Sequence, residues 1–292
     1  MTSHSEYSGH PEHSDTITTA DGRTALRMER RLAHPPQRVW DAITQPVHLA
    51  QWFPSEVTVG LGPGGAMGFL FPGDSEPAMT GTVTEADEPR VFAFTWGEDH
   101  LRWEITPDGE GSLLTLVHTF GDRYGAASFA SGWHLCMAAL AQHLDGEQVD
   151  VRRDTGGELH EAYVERFDLG RGVAERMADG SRIGFERQLV RPVETVWSEL
   201  TAGTEPLAGA PAPEGFTTPE TPPGPVTELH APDLLAYASP ADGEVRWQLT
   251  RGTGHGPRLI LTQTLPPPSD AEATLSAWQT RIDELAATLR KG

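Results

Sequence analysis

The chain has 292 residues, room for two domains of ordinary size. Its 42 acidic residues against 22 basic ones give a formal net charge of −20, which argues against a nucleic-acid backbone or an anionic membrane surface as partner. A lone cysteine, Cys136, excludes an intramolecular disulfide framework and a cysteine-built zinc cage, and it fits a cytoplasmic location.

Residues 1–21 are polar and rich in His, Ser and Thr, with no apolar segment of the signal-peptide kind. They are expected to be a disordered tail in which His4, His10 and His13 are ordinary tail residues. Leu26, Met28, Arg30 and Leu32 then alternate with Arg27, Glu29 and Arg31, the period of a strand with one face on a core. Pro35-Pro36 ends that strand and opens a helix through Val39, Trp40 and Ile43. A short second helix is expected to carry Leu49, Trp52 and Phe53. A glycine-rich turn at 60–65 follows, without the Lys or spacing of a phosphate loop. Strand-like runs cover 67–71, 79–84, 91–96, 101–106 and 113–120, with a tight hairpin at Asp108-Gly109. Phe129, Trp133, Met137, Leu140 and Leu144 then form one stripe of a long amphipathic helix. Leu159, Tyr163 and Phe167 suit another short helix. The order predicts an α+β fold with helices on one face of an antiparallel sheet.

The same signals recur. Residues 26–32 match 183–189, with Pro35, Val39 and Trp40 falling on Pro192, Val196 and Trp197. Residues 81–85 match 224–228, residues 101–106 match 245–250, and Trp133, Leu140 and Leu144 fall on Trp278, Leu285 and Leu289. The second copy is shorter in its middle, at 201–225, which holds seven prolines and reads as an irregular loop. The domains expected are 1–21 as tail, 22–170 as a complete first copy and 171–292 as a shortened second copy.

Glu29-Arg30 through His34-Pro35, Val39-Trp40, Gln51-Trp52-Phe53, Gly64-Gly65, the run 115–120 and Gly132-Trp133-His134 resemble the SRPBCC (START-like, birch-pollen-allergen-like) superfamily. The branch they resemble is that of activators of the heat-shock-protein-90 ATPase. The resemblance implies two tandem helix-grip domains, each a curved antiparallel sheet wrapped around a long C-terminal helix with a cavity between them. It implies binding of an apolar or amphipathic small molecule. A chaperone-associated stress role and a cyclase- or hydrolase-like activity on a polyketide-like substrate are the alternatives. Copy two shows no counterpart of Trp52-Phe53.

Inner-face positions define the expected ligand site of copy one: Trp52, Phe53, Phe69, Phe71, Phe94, Trp96, Trp103, His118, Trp133, His134 and Met137. No catalytic residue, metal ligand or cofactor is assigned. His118 and His134 are the polar candidates, but neither has an acidic partner at a readable spacing, so a buried, hydrogen-bonded histidine is the plainer expectation. Arg30, recurring as Arg187, is either an anchor for a ligand carboxylate or half of an ion pair. Cys136 is expected to be a small wall or core residue.

Overall fold

The computed structural model describes residues 14–149, 157–239, 243–254, 256–268 and 270–291. It divides into two compact units, Met1–Asp154 and Thr155–Gly292. From sequence the boundary falls near residue 170; in the structure the segment 157–170 groups with the second unit.

The first unit begins earlier than its sequence suggests. Within the expected tail, β1 (Thr16–Ala20) pairs antiparallel with β2 (Arg23–Leu32) through a two-residue turn at Asp21-Gly22, both with positive φ. The remainder of the tail, with His4, His10 and His13, lies outside the described residues. The sheet runs β1-β2-β8-β7-β6-β5-β4-β3, all neighbours antiparallel. Its further members are β3 (Glu56–Val59), β4 (Ala66–Leu70), β5 (Met79–Asp87), β6 (Val91–Trp96), β7 (Asp99–Asp108) and β8 (Gly111–Phe120). Two helices, α1 (Pro36–Thr44) and α2 (Pro46–Leu49), link β2 to β3, and α3 (Ala126–Asp145) closes the unit. Pro36 and Pro46 each sit at a helix start, where a missing N–H costs nothing. Gly146, in the left-handed region at φ 73°, terminates α3.

Two local expectations change. The second helix stops at Leu49, so Trp52 and Phe53 follow it in a turn, tied by their backbone N–H groups to the Leu49 carbonyl. The glycine-rich turn at 60–65 joins two strands, of which β3 is too short to show a period. At Gly65 a Cβ would lie 1.7 Å from the Gly60 carbonyl oxygen, so only glycine closes it.

The second unit contains α4 (Glu158–Arg166), β9 (Val173–Met177), β10 (Gly180–Gln188), α5 (Val193–Thr201), β11 (Val226–His230), β12 (Leu234–Ser239), β13 (Gly243–Arg251), β14 (Pro257–Leu265) and α6 (Ala271–Lys291). Its sheet order is β11-β12-β13-β14-β10-β9. Written from the other edge, it parallels β1-β2-β8-β7-β6-β5 strand for strand. Register agrees as well: Leu101 opposes His118 as Val245 opposes Gln263, and Trp103 opposes Leu116 as Trp247 opposes Leu261. The chain is thus two tandem α+β helix-grip units, and the second lacks β3 and β4. Where those strands would lie, 202–225 forms an irregular loop with one 3-10 turn at Glu214–Phe216. Backbone bonds Ala212 to Gly224, Val226 to Ala210 and Gly209 to Val226 run this loop along the start of β11, covering an edge otherwise open to pairing.

Each core lies between sheet and long helix. Alternation puts Leu26, Met28, Leu114, Leu116, Leu101, Trp103 and Ile105 inward in the first unit, with Leu140 and Leu144 facing them from α3; all are buried. Ile183, Phe185, Val245, Trp247, Leu259, Leu261, Trp278, Ile282 and Leu285 do the same in the second. Among the described residues no helix is long and apolar enough to cross a membrane.

Candidate functional site

The eleven expected site residues converge on one side of the first sheet, but their rings fill the space they were expected to enclose. Trp52, Phe53, Phe69, Phe94, Trp103, His118, Trp133, His134 and Met137 are buried; Phe71 and Trp96 are half-buried. Ring centroids form a continuous set: Trp52 to Trp103 at 5.6 Å, Trp103 to Trp133 at 5.7 Å, Phe53 to Trp133 at 5.7 Å, Phe53 to Phe69 at 6.0 Å, Phe69 to Phe94 at 6.0 Å and Trp96 to Trp133 at 5.7 Å. Most are edge-to-face or tilted, the arrangement that ring quadrupoles favour.

A recess lies against this set, too narrow to admit a water molecule. Its lining is apolar: Trp52, Phe53, Phe69, Phe94 and Trp103 from the expected site, with Ile43, Leu49, Val57, Met67 and Phe92. Phe71, Trp96, His118, Trp133, His134 and Met137 are not in its wall. Val57 and Met67 were legible only through β3 and β4, whose alternation into one face is clear once they are paired.

The polar groups are engaged. The Trp133 indole N–H donates to His118 Nδ1 at 3.0 Å. Indole nitrogen only donates, so Nδ1 is the acceptor, and the neutral imidazole carries its proton on Nε2, which donates to Asp99 Oδ2 at 3.1 Å. Burial holds His118 below the ordinary histidine range, against the opposing pull of Asp99. The acidic partner missing from the sequence pattern is supplied by the β7–β8 hairpin, which sets His100 opposite Thr119 and so brings Asp99 beside His118. In the second unit Trp278 donates to Gln263 Oε1 at the matching position. An indole on the long helix tied to a polar side chain on the central strand is therefore common to both units, and an amide serves as well as an imidazole.

Arg30 forms a two-pronged bond to Asp15, at 2.7 and 3.0 Å, and its NH2 lies 3.5 Å from His134 Nδ1. The Asp15 side chain is fully buried. Arg187 bonds Glu161 and Asp283. In each unit the inward-facing arginine is met by an acid from the segment preceding the first strand, so this is the ion-pair alternative rather than the carboxylate anchor. Asp15 escaped the sequence pattern because it sits in the polar segment assigned to the tail. Burial pushes the Cys136 thiol up to about 12, which leaves almost no thiolate at neutral pH. Among the described residues no group of three or more His, Cys, Asp and Glu is assembled to hold a metal.

The two aromatic cores share a sequence of ring contacts. In the second unit Phe216, on the proline-rich loop, meets Trp247 at 5.5 Å and 81°, and Trp247 meets Trp278 at 5.7 Å and 72°. In the first, Trp52 meets Trp103 at 5.6 Å and 83°, and Trp103 meets Trp133 at 5.7 Å and 83°. Phe216 therefore makes the contact to Trp247 that Trp52 makes to Trp103, a counterpart that sequence matching misses because it comes from a different stretch of chain. Outside this shared framework the first unit carries the contiguous rings of Phe53, Phe69, Phe71 and Trp96, besides Phe92 and Phe120, whose places in the second unit are held by Leu235 and Leu265.

Sheet, terminal helix and interior define an α+β helix-grip domain. Residues 33–145 match the family described as activator of Hsp90 ATPase homolog 1-like protein, so the first unit carries a domain of that SRPBCC-type family. The match covers less than half of the chain. Solved structures similar to it include CalU16 from Micromonospora echinospora, at 22% identity over 53% of this chain and 96% of that one, with a TM-score of 0.42. A conserved protein of unknown function from Enterococcus faecalis has 22% identity over 52% and 89%, with a TM-score of 0.44. DynU16, a protein of the dynemicin biosynthetic locus, has 18% identity over 91% of this chain and 98% of its own, with a TM-score of 0.40. No curated protein matches the chain.

Proposed function

We propose that the first unit binds an apolar, ring-bearing small molecule without transforming it, and that the second unit is a non-binding structural partner. The observation that carries this is the aromatic set Phe53, Phe69, Phe71 and Trp96, which adds to a framework already complete in the second unit. Phe69 lies on β4 and Phe71 just after it, so part of the set comes with the two strands that the second unit lacks, and the second unit closes its smaller interior with Phe216. Two of the four are half-buried and form a rim, with Phe53 and Phe69 behind them.

The site is closed. A ligand of ten or more heavy atoms needs roughly 300 Å³ or more, and the recess present does not admit a water molecule. Binding therefore requires a side chain to leave. Phe53 is the one placed to do so: it lies in the turn after α2, contacts Trp52, Phe69, Trp96 and Trp133 by ring faces and edges, and has no counterpart in the second unit. Trp52 is held more firmly, its indole N–H donating to the Ala42 carbonyl at 2.9 Å. Affinity is reduced by the fraction of time the open form is populated.

Calorimetric titration of the whole protein with 2-acetylnaphthalene tests this. Phe53→Ala removes the side chain that must move, so it binds the probe more tightly than wild type. Absence of saturable binding by both proteins overturns the proposal.

A further inference from the structure

The Trp96 indole N–H is buried and, among the described residues, has no hydrogen-bond partner. Trp52, Trp133 and Trp278, by contrast, donate to the Ala42 carbonyl, His118 and Gln263. An unpaired buried donor is destabilising, and an acceptor carried by a bound molecule would relieve that cost. Indole nitrogen can only donate, so what it lacks is an acceptor. The Trp96 ring is half-buried, at the end of β6, against Phe53, Phe69 and Phe71 at 6.3–6.4 Å. It is thus an unpartnered donor on a ring beside the side chain that must move, with three phenyl rings and the His118 imidazole, 5.9 Å away, as its ring neighbours apart from Trp133.

We propose that this N–H is the specificity-determining donor of the first unit, selecting flat apolar molecules that carry an oxygen acceptor such as a ketone over the same skeleton without one. The inference rests on the binding role proposed above. Trp247 in the second unit also has a buried, unpartnered N–H, but its ring is sealed between Phe216 and Trp278, 1% exposed, with no rim around it. Position 96 is matched in the second unit by Ser239, so the indole donor at this place belongs to the first unit.

The test compares two probes of nearly equal shape, 2-acetylnaphthalene and 2-ethylnaphthalene, by calorimetry on the whole protein. Wild type is expected to bind the ketone about five- to tenfold more tightly, the worth of one hydrogen bond. Trp96→Phe keeps an aromatic ring, removes the donor and is expected to bind both probes equally. Trp247→Phe is expected to keep the preference. Equal binding of both probes by wild type overturns the inference while leaving the binding role standing, and so does a preference that survives Trp96→Phe or is lost in Trp247→Phe. If neither probe binds wild type or Phe53→Ala, the binding role itself fails and this inference with it.

Discussion

Phe216→Ala is the perturbation that separates shared framework from added site. Phe216 is fully buried, packs on Trp197 and Trp247 with both ring centroids at 5.5 Å, and its carbonyl accepts the Tyr237 hydroxyl at 2.9 Å. Removing a core phenyl ring costs about 3–5 kcal/mol, of which each edge-to-face partner accounts for about 0.5–1.5 kcal/mol. The loop carrying Phe216 is anchored by backbone bonds at Ala210, Ala212 and Val226, so it has little freedom to collapse into the void, and the upper half of the range applies. Native-state amide exchange reads the effect unit by unit. At about 1.4 kcal/mol per decade, the slowest amides of β13 and β14 should exchange about three to three and a half orders of magnitude faster, with those of β7 and β8 unchanged. Acceleration below about tenfold in β13 and β14 would show that the second core does not depend on Phe216, and the comparison of the two frameworks would fail.

Three further outcomes follow from the polar contacts. His118→Gln reproduces the pairing of Gln263 with Trp278 and should change stability by less than about 1 kcal/mol, whereas His118→Leu leaves the Trp133 N–H unpaired and should cost about 1–3 kcal/mol in urea unfolding; equal costs would refute the pairing. His118 and His143 are both held below their ordinary values, the first by burial, the second by burial and then by His48, 2.9 Å away, and Arg38. The unfolded chain therefore binds more protons below about pH 6.5, so stability is full above that pH and falls as pH drops through the two depressed values; a urea midpoint that rises on acidification from pH 7 to 5 would contradict this. Cys136 should resist iodoacetamide at pH 8 in the native protein and react once urea is added, which mass spectrometry of the intact chain shows directly.

Much of this fold is legible because periodicity survives in the inward faces. Leu114, Leu116, His118 and Phe120 alternate in β8, and Trp133, Met137, Leu140 and Leu144 recur on α3, and all eight are buried. Both β1 and β3 are hidden for a physical reason. They are short edge strands with few or no buried side chains, and their pairing comes from backbone bonds that leave no apolar pattern. The site residues are legible as a group and illegible as a space. Alternation says which side chains point inward but not whether their rings meet, and ten aromatic or imidazole rings aimed at one interior fill it. Partners brought together by register or by an unrelated loop, such as Asp99 for His118, Asp15 for Arg30 and Phe216 for Trp247, carry no local signal at all.

The central claim is a location: an apolar ligand enters the first unit among Phe53, Phe69, Phe71 and Trp96. Intermolecular nuclear Overhauser effects between 2-acetylnaphthalene and the protein test it most directly. The expected contacts are to the ring protons of Phe53, Phe69 and Trp96. Contacts confined to the rings of Trp247 and Trp278, or to exposed Val47 and Leu61, would contradict it.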